Sequence, residues 1–179
     1  MKNKTKKILL IGYRATGKTA VGRELSRMLG RPFRDLDHLI EKQAGKNISQ
    51  IVEEQGWDTF RHIERKLLEE MAQSPKKFVL ACGGGVVLHE KQMEHFAKSA
   101  TIVWLKAPLE VMLKRLLSDT NTPKSRPSLT NKDIKEEIKQ VYNERKKLYE
   151  KFAHITVDTE DKSPFQIAQE ISEALKYGW

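Results

Sequence analysis

GYRATGKT, Gly12 to Thr19, follows the apolar run ILLI and precedes KTAVGRELSRMLG, where Val21, Leu25, Met28 and Leu29 recur on one helical face and Gly30 ends the pattern. Strand, glycine-containing turn and helix come in the order required by G-x-x-x-x-G-K-[ST]. The glycines let backbone N–H groups turn inward around phosphate oxygens, and the helix N-terminus adds partial positive charge. Lys18 is placed to reach the β- and γ-phosphates of a nucleoside triphosphate, and Thr19 to ligate Mg²⁺. No G-x-G-x-x-G is present, which disfavours a dinucleotide fold. The loop names the donor but not the acceptor.

Short apolar runs alternate with helical patterns along the rest of the chain. Strands are expected at 7–12, 32–37, 77–85, 100–105 and 154–158. Helices are expected at 18–30, 90–98, from Pro108 to Leu117, at 130–152 and at 164–177, with 38–73 mostly helical and broken near Gly45 and Gly56. SDTNTPKSRPS, 118–128, has little apolar content and two prolines, and reads as a mobile loop. The strands are too continuously apolar for a sheet with one wet face. An α/β fold with a parallel sheet covered by helices on both faces follows. Ligands of such folds bind at the carboxyl ends of the strands.

The chain has 179 residues, enough for one domain with its own core. Its longest apolar runs are too short to cross a bilayer, and the basic start MKNKTKK lacks the apolar stretch of a secretory signal. The lone Cys82 excludes an internal disulfide, so a cytoplasmic location is expected. The net charge of +9 favours anionic partners, either nucleic acid or small phosphates and carboxylates; lysines that merely solvate the surface produce the same count. No RNA-binding signature or zinc spacing supports nucleic acid.

Further chemistry clusters at the strand ends. FRDLD closes the second strand, and in a strand Asp35 and Asp37 share a face. Two carboxylates facing a phosphate loop suit metal support and proton abstraction, although Asp37 equally suits a helix N-cap. Arg61 and Glu64 lie one helical turn apart in GWDTFRHIE, the spacing of a surface ion pair or of a ligand site. In CGGGVV, three successive glycines imply a sharp turn or a close ligand approach. Arg126 sits in the 118–128 loop, a position from which arginine supplies charge to a transferring phosphoryl group. Arg145 lies in NERKKLY on the helix that follows. His38, His62, His89, His95 and His154 show no metal-ligand spacing.

Taken in order, GxxxxGKT, DLD, G-x-x-x-FR-x-x-E, GGG, a lid RP and an ER-x-x-LY helix resemble the shikimate kinase family, from about residue 7 to 176. The resemblance implies a three-layer α/β/α P-loop kinase of nucleoside-monophosphate-kinase type, with a five-stranded parallel sheet. It implies one domain over 1–179, a substrate-binding region at about 38–73 and a lid at about 118–128. The implied reaction transfers the γ-phosphoryl of ATP to the 3-hydroxyl of shikimate, with Mg²⁺, in a protein that is usually monomeric.

By the same resemblance Gly12, Ala15, Thr16, Gly17, Lys18, Thr19 and Ala20 form the nucleotide loop. Thr19 ligates the metal and Asp35 supports it through water, while Asp37 binds the acceptor hydroxyls and takes the proton. Arg61 and Arg145 hold the shikimate carboxylate, and Gly83, Gly84 and Gly85 line the pocket. Arg126 is the lid arginine, and Arg115 and Pro164 flank the adenine. The family usually has glycine where this chain has Ala15, and often glutamate where it has Trp57; Val52 stands where an aromatic is frequent.

The residues suit that chemistry independently, because a planar carboxylate matches the arginine fork and hydroxyls match a carboxylate and close backbone groups. A gluconate or nucleotide kinase on the same fold is the nearest rival. A P-loop ATPase that uses the basic charge on nucleic acid is the rival of another class, and it predicts strongly salt-dependent binding.

Overall fold

The computed structural model describes residues 7–119, 127–130 and 132–177. Its strands are β1 (Lys7–Ile11), β2 (Phe33–Asp35), β3 (Phe78–Ala81), β4 (Thr101–Lys106) and β5 (Ile155–Asp158). All pair in parallel, in the order β2-β3-β1-β4-β5. The helices are α1 (Lys18–Leu29), α2 (Leu36–Ala44), α3 (Ile48–Gln73), α4 (Glu90–Ser99), α5 (Leu109–Ser118), α6 (Ile134–Phe152) and α7 (Pro164–Tyr177). The expected α/β fold is the one observed.

Successive side chains of the central strands enter opposite cores, which is why KILLI carries no polar alternation. Ile8 and Leu10 pack with Val21 and Leu25 of α1 and Ile167 and Ile171 of α7. Leu9 and Ile11 face the other way, with Trp104, Leu68 of α3, Phe96 of α4 and Tyr149 of α6. Each of these is 3% exposed or less, so helices cover both faces of the sheet.

Strand β1 has β3 on one side and β4 on the other, and the chain changes sides there. The carboxyl end of β1 is therefore the switch point at which such sheets open a crevice. Gly12 begins the turn with φ +141°, and a Cβ there would overlap the Leu105 carbonyl oxygen, so the loop passes directly over the end of β4.

Most boundaries fall within one residue of the sequence expectation, and three differ by more. The second strand ends at Asp35, not at Asp37, because the Asp35 carboxylate caps α2 and accepts from the backbone N–H groups of Asp37 (3.1 Å) and His38 (3.4 Å). The third strand ends at Ala81, and the glycines after it turn into a short 3₁₀ segment, Val86–Leu88. The helix expected over 130–152 starts at Ile134, where the Asp133 side chain accepts from the Lys135 N–H. The expected breaks in 38–73 are present. Gly45 closes α2 in a left-handed conformation, and Gly56 kinks α3 (φ 81°, ψ 168°).

Candidate active site

The phosphate loop is internally tied. Thr16 Oγ1 donates to the Tyr13 carbonyl at 2.9 Å. Lys18 folds back over the loop, and its ammonium donates to the carbonyls of Gly12 (2.9 Å) and Tyr13 (2.7 Å). Gly17 caps α1 at φ 84°, with no side-chain cap, which leaves the first turn's N–H groups available to an anion. Ala15 adopts φ 58°, a left-handed backbone that costs an L-residue about 1 kcal/mol. Gly17, Thr19 and Ala20 are exposed at the rim of a cavity that Lys18 and Asp35 also line.

Arg115 reaches that loop from α5. Its guanidinium donates to the Ala15 carbonyl (3.2 Å), the Thr159 hydroxyl (3.1 Å) and the Thr159 carbonyl (2.8 Å). Pro164, exposed at the start of α7, follows a few residues after Thr159. A planar cation clamped by three acceptors is a ready surface for a heteroaromatic ring.

Asp35 and Asp37 take different roles by position. While Oδ1 of Asp35 caps α2, its Oδ2 accepts from Thr19 Oγ1 at 2.8 Å. Two oxygen atoms thus meet beside the loop, of the kind that Mg²⁺ takes from protein, directly or through water, while phosphates and water supply the rest. Asp37, in the first turn of α2, lines both the phosphate-loop cavity and the neighbouring pocket. The shared-strand reading of the pair does not hold; a strand end and a helix start place them.

The neighbouring pocket gathers Asp37, Arg61, Glu64, the three glycines and Arg145. Arg61 and Glu64 are not a surface pair: Glu64 is fully buried and its Oε2 accepts from Arg61 Nη1 at 2.5 Å. The same oxygen lies 2.8 Å from His89 Nε2, while Oε1 has no hydrogen-bond partner among the described residues and lies close to Gly83. Burial works against ionisation of Glu64, but the His89 hydrogen bond and the Arg61 charge outweigh it and hold the carboxyl below its ordinary range. Gly85 admits the Arg61 guanidinium, which a Cβ there would overlap. Arg145 is 9% exposed, and among the described residues no carboxylate forms an ion pair with it.

Arg126 lies outside the described residues, as does 120–126 of the expected lid. The chain after it is held firmly. Glu137 accepts from the Ser128 hydroxyl (2.5 Å) and from the N–H groups of Leu129 (2.9 Å) and Thr130 (3.1 Å). Burial opposes its ionisation, while these bonds and Arg14 hold its pKa down. Arg14, from the phosphate loop, donates to the Pro127 carbonyl at 3.1 Å and to Glu137 at 3.4 Å. Sequence reasoning singled out neither Arg14 nor Glu137, nor His89 as a partner of Glu64. FRxxE pointed to Glu64 itself, but the others depend on contacts between distant segments.

Comparison with known proteins shows the family and the fold. The family model described as shikimate kinase matches residues 14–176. The chain is 37% identical to the shikimate kinase of Syntrophus aciditrophicus (strain SB) over 177 residues, covering 94% of this chain and 90% of that one. It is 38% identical to shikimate kinase 2 of Enterobacter sp. (strain 638), covering 96% of this chain and 97% of that one. The structure superposes on shikimate kinase from Acinetobacter baumannii in complex with shikimate with a TM-score of 0.88 and 34% identity, over 96% of this chain and 93% of that one. A gluconokinase from Sinorhizobium meliloti 1021, at 15% identity and a TM-score of 0.57, shares the fold.

Proposed function

The chain belongs to the shikimate kinase family, and we propose that it transfers the γ-phosphoryl group of ATP to the 3-hydroxyl of shikimate, giving shikimate 3-phosphate and ADP for aromatic amino acid (chorismate) biosynthesis. The supporting observation is the convergence of Asp37, Arg61 and Arg145 with the glycine turn in one pocket that adjoins the phosphate loop.

Phosphoryl transfer depends on positioning and positive charge more than on a strong base. The loop N–H groups and Lys18 hold the donor phosphates, and Arg115 with Pro164 flanks the adenine. Arg145, buried without a carboxylate partner among the described residues, has charge to offer an acceptor carboxylate. Arg61 adds a second guanidinium, oriented by Glu64. Asp37 then orients the 3-hydroxyl and accepts its proton as the phosphoryl group leaves ADP. Arg126 is the expected source of charge at the transferring group.

Thr19 and Asp35 fit Mg²⁺, which when bound neutralises charge on the donor phosphates. Chelation with EDTA is therefore expected to lower turnover to background, with recovery on adding Mg²⁺. Turnover that persists in EDTA would remove Thr19 and Asp35 from a metal role.

The reading extends to one kinase domain over 1–179, with a substrate region at 38–73 and a lid at 118–128, acting as a cytoplasmic monomer on small molecules. No described helix is long and apolar enough to cross a membrane.

Coupled ADP release with Mg-ATP tests the acceptor, using shikimate, quinate, gluconate, nucleoside monophosphates and single-stranded DNA side by side. Stimulation by shikimate alone is expected. Stimulation by gluconate would assign Arg61 and Arg145 to another carboxylate, and stimulation by DNA would assign a function to the basic charge.

Trp57 gives a direct binding signal. It packs edge-on against Phe60 at 5.5 Å, with the Arg61 guanidinium 5.6 Å from its ring. In a protein carrying Trp104→Phe and Trp179→Phe, shikimate is expected to change Trp57 fluorescence saturably. Constant emission at saturating shikimate would place the acceptor away from Arg61.

A further inference from the structure

The acceptor pocket is lined by the least self-supporting sequence a chain can use, three glycines. Two of their carbonyls are satisfied locally: Gly83 accepts from the Val86 N–H at 3.1 Å and Gly85 from the Leu88 N–H at 3.0 Å, closing the 3₁₀ turn. The Gly84 carbonyl is satisfied from across the molecule. Tyr149, on α6, donates its hydroxyl proton to it at 2.5 Å, over a sequence separation of 65 residues.

We propose that Tyr149 is a positioning residue for the acceptor, holding the glycine turn of the pocket to α6 through its hydroxyl. The inference rests on the shikimate reading of the pocket given above.

The Arg145 guanidinium, one helical turn earlier on α6, interacts with the same hydroxyl. The phenolic proton is engaged by Gly84, so the oxygen lone pairs are what it offers to Arg145. Burial pushes the phenol well above its ordinary range, so the proton stays in place at any working pH.

The ring is fixed as well. It is fully buried and stacked on Trp104 of β4, with centroids 5.8 Å apart and planes at 21°. Tyr149 therefore refers both pocket walls to the central sheet. The Gly84 carbonyl and the Gly85 N–H share one peptide plane, so orienting the first orients the second. Gly85 lies against the Arg61 guanidinium. One hydroxyl thus anchors the glycine turn directly and the surface behind Arg61 through it, with the Arg145 charge beside the same oxygen. The hydroxyl bonds to the glycine turn and to no phosphate-loop atom among the described residues, so the first effect of removing it falls on the acceptor side, while Gly84 itself packs against the Gly12–Arg14 backbone.

The test is Tyr149→Phe in the full chain, which removes one oxygen and keeps the stacked ring. In the ADP-release assay its KM for shikimate is expected to rise about tenfold, with KM for ATP within about twofold of wild type and the melting temperature lowered by only a few degrees. Combined with Arg145→Lys, the loss is expected to fall short of the product of the two single losses, because both disturb the same guanidinium. An unchanged shikimate KM in Tyr149→Phe overturns the proposal. So does a parallel rise in both KM values with a fall in melting temperature, or a variant that does not fold, since either makes the hydroxyl structural. Wild-type protein inactive toward shikimate would instead sink the functional reading itself.

Discussion

Asp37→Asn is expected to lower kcat for shikimate phosphorylation by about 10²- to 10⁴-fold, with KM for ATP within about twofold of wild type. The range is that of a lost general base and corresponds to about 3–5 kcal/mol of transition-state free energy. Asparagine keeps the shape and one carbonyl acceptor, so the acceptor still binds, but it cannot take the 3-hydroxyl proton. The donor side should be spared because the phosphate contacts belong to the loop and Lys18, and the metal position belongs to Thr19 and Asp35. Steady-state kinetics in both substrates checks this, with nucleotide binding measured separately. Near-normal turnover would remove Asp37 from the chemistry and leave positioning as its only role.

Arg145→Ala is expected to act on the other half of the reaction. An arginine 9% exposed, facing the pocket and unpaired with any carboxylate among the described residues, gains its anionic partner when shikimate binds. Truncating one member of such a pair costs about 2–5 kcal/mol, a fall in kcat/KM for shikimate of roughly 30-fold or more. The loss should appear chiefly in the shikimate KM. Arg145→Lys keeps the charge but not the fork, and should recover only part of the loss. Equal effects on both substrates would show a folding defect, and no effect would leave the carboxylate to Arg61 alone.

Much of this site is legible in the sequence because its parts are local. The strand–loop–helix around Gly12–Thr19 and the glycines after β3 sit at the ends of apolar runs whose burial is unambiguous. The Asp35–Asp37 pair shows where local reading fails. A period of two fits FRDLD as a strand, but the Asp35 carboxylate stabilises a helix start from Leu36, and capping prevails over continued pairing. Asp37 still reaches the pocket, from a different element. Ala15 departs from the family's usual glycine, and its left-handed φ shows what that glycine is for.

The remaining contacts are illegible for a physical reason. Arg14 and Glu137 meet across 123 residues, and Glu64 and His89 across 25. No periodicity within one element encodes such pairings; they follow from which helices the sheet order brings together. The five histidines showed no pattern, and His89 acquires meaning only through the buried carboxylate it touches.

The central claim is the identity of the phosphorylated group, and the product reports it. Wild-type protein should be incubated with Mg-ATP and shikimate, and the product examined by ³¹P and ¹H NMR. The account predicts one new phosphomonoester, coupled to the proton on C3 of shikimate, formed in equal amount with ADP. Unmodified shikimate, in a preparation that phosphorylates gluconate or a nucleoside monophosphate, would contradict it.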